Sequence, residues 1–233
     1  MSPTILQRWT FHCTRTSDRF IIPDGCQDLL YWCSAGEPSR WSYAPLQDGT
    51  IIARIAEGTT IVGYRFAPAT VLSDRLQAEL ERRSSDDPDQ VINDLLDQVR
   101  RDRRAVEAVE ALAMSAESSS GVNVAARSLG VSRRTLERVV SKYTGRSPVF
   151  WSQLARVRAA ARSLVQGDRP TETAYKHGYS DQAHLSRSVR RWFSVSPTDL
   201  VRRPDLAEQL FVPGYDATTG EQISTRYPSR SRT

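Results

Sequence analysis

Cysteine is scarce in this chain of 233 residues: Cys13, Cys26 and Cys33 are all it has. An odd, low number of thiols makes no disulfide framework and suits a reducing compartment. With His12 they supply ligand types for zinc, but their spacing fits neither a ribbon nor a finger, so neither metal nor cofactor is expected. No apolar run approaches the roughly 20 residues that a bilayer requires, and residues 1–10 lack the apolar core of a secretion signal. The expectation is a cytoplasmic protein with no membrane partner. Also missing are a phosphate-cradling Gly-rich loop, Gly-x-Ser-x-Gly and His-Glu-x-x-His. Asp24 and Asp28 are a nearby carboxylate pair, but turn formation accounts for the first and solvent exposure for the second. No enzymatic activity is expected. Lysine is rarer than cysteine: of 32 basic residues only Lys142 and Lys176 are not arginine. Arginine suits forked contacts to guanine and phosphate, and a GC-rich genome would produce the same bias.

Positive charge is concentrated. Of the 32 Lys and Arg, 16 lie between Gly121 and Arg203, together with only 5 of the 27 Asp and Glu. That stretch carries a net +11 and the remainder −6. A basic domain joined to an acidic one attracts polyanions on one side without internal competition.

The basic stretch contains one pattern twice. The first copy runs from Gly130 to Pro148 (GVSRRTLERVVSKYTGRSP) and the second from Gly178 to Pro197 (GYSDQAHLSRSVRRWFSVSP). Each opens on Gly, an apolar residue and Ser; each carries a Leu followed two residues later by Arg; each closes on Ser-Pro. Gly permits the left-handed turn, and Ser132 and Ser180 are suited to cap the helix that follows. The pattern predicts two helix-turn-helix units. In the first, residues 122–129 support a recognition helix over about 133–143, with Leu136, Val139 and Val140 inward. In the second, residues 171–177 support a helix over about 181–193, with Leu185, Val189, Trp192 and Phe193 inward. Between them residues 148–165 read as one helix with Phe150, Leu154, Val157, Ala161 and Leu164 buried. Such a spacer, roughly 27 Å long, sets two readers near one duplex turn apart, so that one chain reads two successive major grooves.

The outward faces carry the chemistry. Arg134, Glu137 and Arg138 are candidate base contacts, since Arg bridges guanine O6 and N7 and Glu accepts from cytosine N4. Gln182, Ala183, His184, Ser186 and Arg187 are their counterparts in the second unit, where Gln suits adenine. Arg133, Lys142, Arg146, Arg190 and Arg191 are candidate phosphate contacts, which add affinity without sequence information.

The chain ahead of the repeat reads as β to about residue 70 and then as helix. A Pro23-Asp24-Gly25 turn separates strands around 19–22 and 29–32; 41–44 is a third; Ile51–Ala56 and Thr60–Phe66 flank Glu57-Gly58 as a hairpin. Leu72, Leu76 and Leu80, then Ile92, Leu95, Leu96 and Val99, then Val106, Val109 and Leu112 form helical stripes. They suit packing on the β layer or a dimerisation pair. Ser118–Gly121 is the expected domain linker. The fold class is therefore an α+β domain, a small β unit with trailing helices over 1–117, followed by an all-α double helix-turn-helix domain over 118–203. A polar tail over 204–233 completes the chain.

Residues 120–203 resemble the DNA-binding domain of AraC/XylS transcriptional regulators. The resemblance rests on AARSLGVSRRTLERVV, TGRSP, the Arg-Val-Arg-Ala-Ala helix and HGYSDQAHLSRSVRRWFSVSP. It implies base readers at Arg134, Glu137 and Arg138 and at Gln182, Ala183, Ser186 and Arg187. It further implies promoter DNA and RNA polymerase as partners, and a place in the nucleoid. Three positions depart from the family pattern: Pro170 and Thr173 stand where Ile is usual, and Val189 where Phe is common. The departures imply looser packing of the second unit, and Ala183 is too short to hydrogen-bond. Residues 18–70 resemble the reduced cupin-like sensor domains of some members, through Pro23–Leu30 and Gly63–Pro68. That implies a small effector, with Tyr31, Trp32, Trp41, Tyr43 and Arg65 as candidate pocket residues, though an aromatic core accounts for them equally; a homodimer is left open. Two alternatives remain. One is a Cys-dependent DNA-repair methyl acceptor, or a metal sensor, joined to the same DNA-binding domain. The other is an architectural protein with little sequence preference.

Overall fold

The computed structural model describes residues 5–83, 87–116, 121–212 and 214. Of the linker expected at Ser118–Gly121, residues 118–120 lie outside the described residues, as do 213 and 215 onward, while Gly121 belongs to a helix instead. The chain begins with strands β1 (Ile5–His12), β2 (Ser17–Ile21), β3 (Gln27–Cys33), β4 (Arg40–Ala44), β5 (Ile51–Ile55) and β6 (Thr60–Phe66). Short strands β7 (Thr70–Val71) and β8 (Arg100–Arg101) enclose helices α1 (Asp74–Arg82) and α2 (Pro88–Leu95). Then come α3 (Arg103–Met114), α4 (Gly121–Ser128), α5 (Arg133–Thr144), α6 (Pro148–Val165), α7 (Pro170–Lys176), α8 (Gln182–Phe193), α9 (Pro197–Arg202) and α10 (Pro204–Ala207). An α+β N-terminal part is followed by an all-helical part, as the hydrophobic periods indicate.

Strands β1, β6, β3 and β4 form one antiparallel sheet in that order, while β2 and β5 pair separately. The expected hairpin between β5 and β6 does not form. Gly58 makes its left-handed turn (φ +79), but β6 enters the sheet between β1 and β3 and β5 pairs with β2, Ile21 opposite Ile51. Burial decides this. β6 is buried along most of its length and so needs a partner on each edge, whereas β5 is exposed along most of its length. Gly63 is required at the centre of β6: a Cβ there would lie 2.0 Å from the Trp9 ring.

Alternation along β3 sends Leu29 and Tyr31 to one face and Leu30 and Trp32 to the other. The first face is covered by Leu76 and Leu80 of α1 and Val91, Ile92 and Leu95 of α2. The stripes on α1 and α2 thus serve the β layer. The stripe on α3 does not: Ala108, Val109, Ala111 and Leu112 join the core of the C-terminal helices, packed on α4, α5 and α6.

Helix α6 is the axis of that core. Trp151, Leu154, Ala155, Val157, Ala160, Ala161 and Leu164 are buried around it, while Phe150, expected inside, is only partly covered. Burial extends well beyond one face of this helix, so a single stripe under-describes it. The polar tail expected from residue 204 begins later. Leu206 and Leu210 enter the same core as Leu200, and their burial carries helical structure through residue 210.

The two parts touch. Ile22 and Leu46 contribute to the helical core. The Arg158 guanidinium of α6, fully buried, donates to the Pro23 carbonyl at 3.0 Å and to the Leu210 carbonyl at 3.3 Å. Gln209 Nε2 donates to the Phe20 carbonyl at 2.8 Å, and its Oε1 accepts from the Ile22 amide at 3.1 Å.

Candidate nucleic-acid interface

Each recognition helix starts and stops on a local signal. In the first unit Gly130 turns the chain (φ +65) and the Ser132 hydroxyl accepts from the Thr135 amide at 3.1 Å. Helix α5 ends on Gly145 (φ +67). In the second, Gly178 turns the chain (φ +69), but the cap is Asp181 rather than Ser180: its carboxylate accepts from the His184 amide at 2.6 Å. Asp and Ser both serve as N-caps, and Ser180 instead donates to Asp181 at 3.3 Å. That hydrogen bond from the His184 amide, foremost, holds the Asp181 carboxyl below the usual range.

The inward residues fall where the pattern puts them. Leu136 and Val140 are buried under α5 and Val139 is half-buried; Leu185, Val189, Trp192 and Phe193 are buried under α8. The opposite face of α5 presents Arg133, Arg134, Glu137 and Arg138, all exposed. Arg133 Nε lies 3.3 Å from Glu137 Oε1, one turn on, so the two partly neutralise each other in the absence of DNA. On α8, Gln182, Ala183, His184 and Arg187 are exposed and Ser186 is half-buried. Gln182 accepts from the Thr171 hydroxyl of α7 at 3.3 Å. His184 is drawn back over the cap, with Nδ1 3.2 Å from Ser180 Oγ and its ring edge-on to Tyr179.

The candidate phosphate contacts divide. Lys142, Arg190 and Arg191 are exposed, with Lys142 over the Tyr143 ring and Arg191 over Trp192. Arg146 is engaged inside the molecule: it donates to Asp48 at 3.3 Å and to the Leu46 carbonyl at 3.1 Å. The loop after β4 thereby seats against the start of α6. It also reaches the end of α8, where the Thr50 hydroxyl donates to the Trp192 carbonyl at 3.1 Å.

A family described as "Helix-turn-helix domain" matches residues 125–203. Over 85 residues the chain is 34% identical to the HTH-type transcriptional activator RhaS of Salmonella arizonae, covering 36% of this chain and 31% of that protein. It is also similar to a Chromobacterium violaceum transcriptional regulator with an AraC-type DNA-binding domain, at 27% identity over 48% of this chain and 95% of that one, TM-score 0.39. Residues 125–203 are thus a helix-turn-helix domain, similar to that of AraC-type regulators. The chain spans about a third of the length of the curated relatives it matches. ToxT of Vibrio cholerae is similar over 85% of this chain and 98% of that one, at 9% identity and TM-score 0.48.

Outside the helix-turn-helix domain, the five candidate pocket residues do not all converge. Tyr31 and Trp41 are buried on the sheet face under α1 and α2, with their rings 5.0 Å apart and Tyr43 at the edge of that cluster. Trp32 lies on the opposite face, donating to Ser42 at 2.7 Å. Arg65 is engaged by Asp24 at 2.8 Å and Asp28 at 3.1 Å. Asp28 is therefore largely covered and paired, not solvent-exposed. Burial pushes its carboxyl up against the pull of Arg65. Burial opposes the Arg65 charge, but the two carboxylates outweigh it and hold the guanidinium protonated.

Cys13, Cys26 and Cys33 are free thiols. Burial, aided by Asp24, pushes the Cys26 thiol well up, which disfavours the thiolate a methyl acceptor would need. Among the described residues no group of three or more His, Cys, Asp or Glu could hold a metal ion, and no helix is long and apolar enough to cross a membrane.

Proposed function

We propose that the chain is a sequence-specific DNA-binding transcriptional regulator that presents α5 and α8 to two adjacent major grooves of promoter DNA. The observation that carries this reading is a pair of capped helices, each held by a buried apolar face and each offering a polar face to solvent, both packed against α6. Arg134, Glu137 and Arg138 read bases from α5; Gln182, Arg187 and Ser186 do so from α8, with Ala183 contributing only apolar contact and His184 a base or phosphate. Arg133, Lys142, Arg190 and Arg191 meet phosphate. Arg146 is free to do so only if the loop after β4 releases it. The relatives are transcriptional regulators, which favours RNA polymerase as a partner and a non-enzymatic role in the cytoplasm, at the nucleoid.

The N-terminal part carries regulation in this reading. It contacts the spacer helix through Pro23 and the end of α8 through Thr50, so a ligand that altered those loops would act on both readers. We place the functional division between α2 and α3, because α3 packs on α4, α5 and α6.

Footprinting on fragments selected from genomic DNA tests the proposal. Arg138→Ala and Arg187→Ala are each expected to weaken binding to the selected site by about 1–3 kcal/mol and to relax the preference at one position. If both variants protect the site as the wild type does, the assignment of readers fails. If selected and random duplexes bind equally at one fixed physiological salt concentration, the chain is an architectural DNA binder.

A further inference from the structure

Beside the first recognition helix lies a groove of about 610 Å³. One wall is α5, with Arg138 and Lys142; the other is the start of α3, with Asp102, Arg103, Arg104 and Glu107. Both anions are already committed. Asp102 caps α3 by accepting from the Ala105 amide at 2.9 Å, and Glu107 accepts from Arg103 at 2.8 Å. Among the described residues no carboxylate lies within ion-pair reach of Arg104, Arg138 or Lys142. The groove thus gathers four cations against two engaged carboxylates, and the N-terminal amides of α3 add to the positive field.

An α-helix with its side chains is about 10–12 Å across and the major groove of B-DNA about 12 Å wide. A recognition helix therefore fills the groove, and whatever flanks it meets the sugar-phosphate walls. Helix α3 packs directly on α5, and its first turn shares this cleft with Arg138. We propose that the cleft is a binding site for a backbone phosphate of the duplex, with Arg104 as the principal ligand beside Lys142. The inference rests on the DNA-binding reading above. It makes α3 a working part of the reader, and it assigns Arg104 a positioning contact that fixes register without reading bases.

The test uses the full-length protein and two variants, Arg104→Gln and Arg104→Lys, with thermal melts to show that both fold as the wild type does. Binding to a selected duplex and to a random one is followed from about 50 to 200 mM salt. For Arg104→Gln, affinity for both duplexes should fall in parallel, and the slope of log K against log salt should shrink by roughly 0.9, one phosphate contact. Arg104→Lys should retain most of the slope. An unchanged slope, or a loss confined to the selected duplex, overturns the proposal. So does saturable, Arg104-dependent thermal stabilisation by inorganic phosphate without DNA, which would make the site one for a free anion. A wild-type protein that binds no duplex sinks the underlying reading as well, a result distinct from any failure of the Arg104 variants alone.

Discussion

The two helix-turn-helix units have the same shape but are held differently. The first obeys local rules throughout: a Ser cap, two alanines (Ala125 and Ala126) buried in the supporting helix, and Gly145 in the left-handed position that ends α5. The second keeps its recognition-helix cap, in Asp181, but carries three local weaknesses. Its recognition helix ends on Ser194 at φ +58, where a side chain costs about 1 kcal/mol relative to Gly. Its supporting helix starts on Arg169 with no side-chain cap hydrogen bond. Thr173, fully buried inside that helix, has a hydroxyl with no hydrogen-bond partner among the described residues. What offsets these costs is tertiary. Trp192 and Phe193 are buried in the α6 core, and Thr50 from the N-terminal part supplies a donor to the last turn of α8. The first unit is specified by its own residues; the second depends more on what surrounds it.

That contrast can be broken most forcefully where both units share a support. Arg158→Ala removes a fully buried side chain from α6, strips the Arg158 donor from the Pro23 carbonyl and leaves the Leu210 carbonyl with Arg162 as its side-chain donor. It should cost about 3 kcal/mol or more in denaturant unfolding, felt equally by both units. A loss below about 1 kcal/mol would mean that water replaces the guanidinium and that the N-terminal part is not a brace. Next in size are the helix ends. A Cβ on Gly145 would meet nothing within 4 Å, so Gly145→Ala pays for conformation alone, about 1 kcal/mol. Ser194→Gly should gain a similar amount. Equal and opposite shifts in melting temperature would sharpen the comparison; no gain at Ser194 would show that its side chain makes up the difference. Thr173→Val keeps the shape and removes the orphan hydroxyl, and should stabilise by somewhat less than 1 kcal/mol.

Legibility followed the same division. Both units, their turns at Gly130 and Gly178 and their buried residues Leu136, Val140, Leu185, Val189, Trp192 and Phe193 were readable, because helix period, glycine turns and caps are local signals. Local sequence puts the cap of α8 one residue early because Ser180 and Asp181 are both good caps, and only the amide that meets each decides. The β part was readable as β but not as a sheet: Glu57-Gly58 marks a turn, yet no local signal says that β6 continues into one sheet and β5 into another. Long-range partnerships were silent. Arg146 looks like a phosphate ligand until Asp48 is found beside it, and Arg158 looks like a surface residue of a spacer helix until Pro23 and Leu210 close over it. The pocket candidates failed to converge for a related reason: Tyr31 and Trp32 are neighbours in sequence and therefore point to opposite faces of the sheet.

The smallest expected effect isolates the caps themselves. Asp181 carries a proton equilibrium and Ser132 does not. Because the His184 amide holds the Asp181 carboxyl below its ordinary value, the folded state favours the ionised form. Its contribution is complete above the ordinary Asp pKa of about 3.9 and is lost as the pH falls below that toward the depressed folded value. Acid should therefore fray the first turn of α8 before the first turn of α5, a difference visible as earlier loss of amide protection at His184 than at Thr135. The carboxylate is exposed, so added salt should shrink the difference. Asp199, whose carboxyl is also held low, by Ser196, titrates in the same half of the domain and would blur a global measurement. Asp181→Ser separates them: it gives α8 the cap that α5 already has, and the two helices should then fray together. If α8 still opens first in that variant, the weakness lies in the core around Thr173 rather than at the cap.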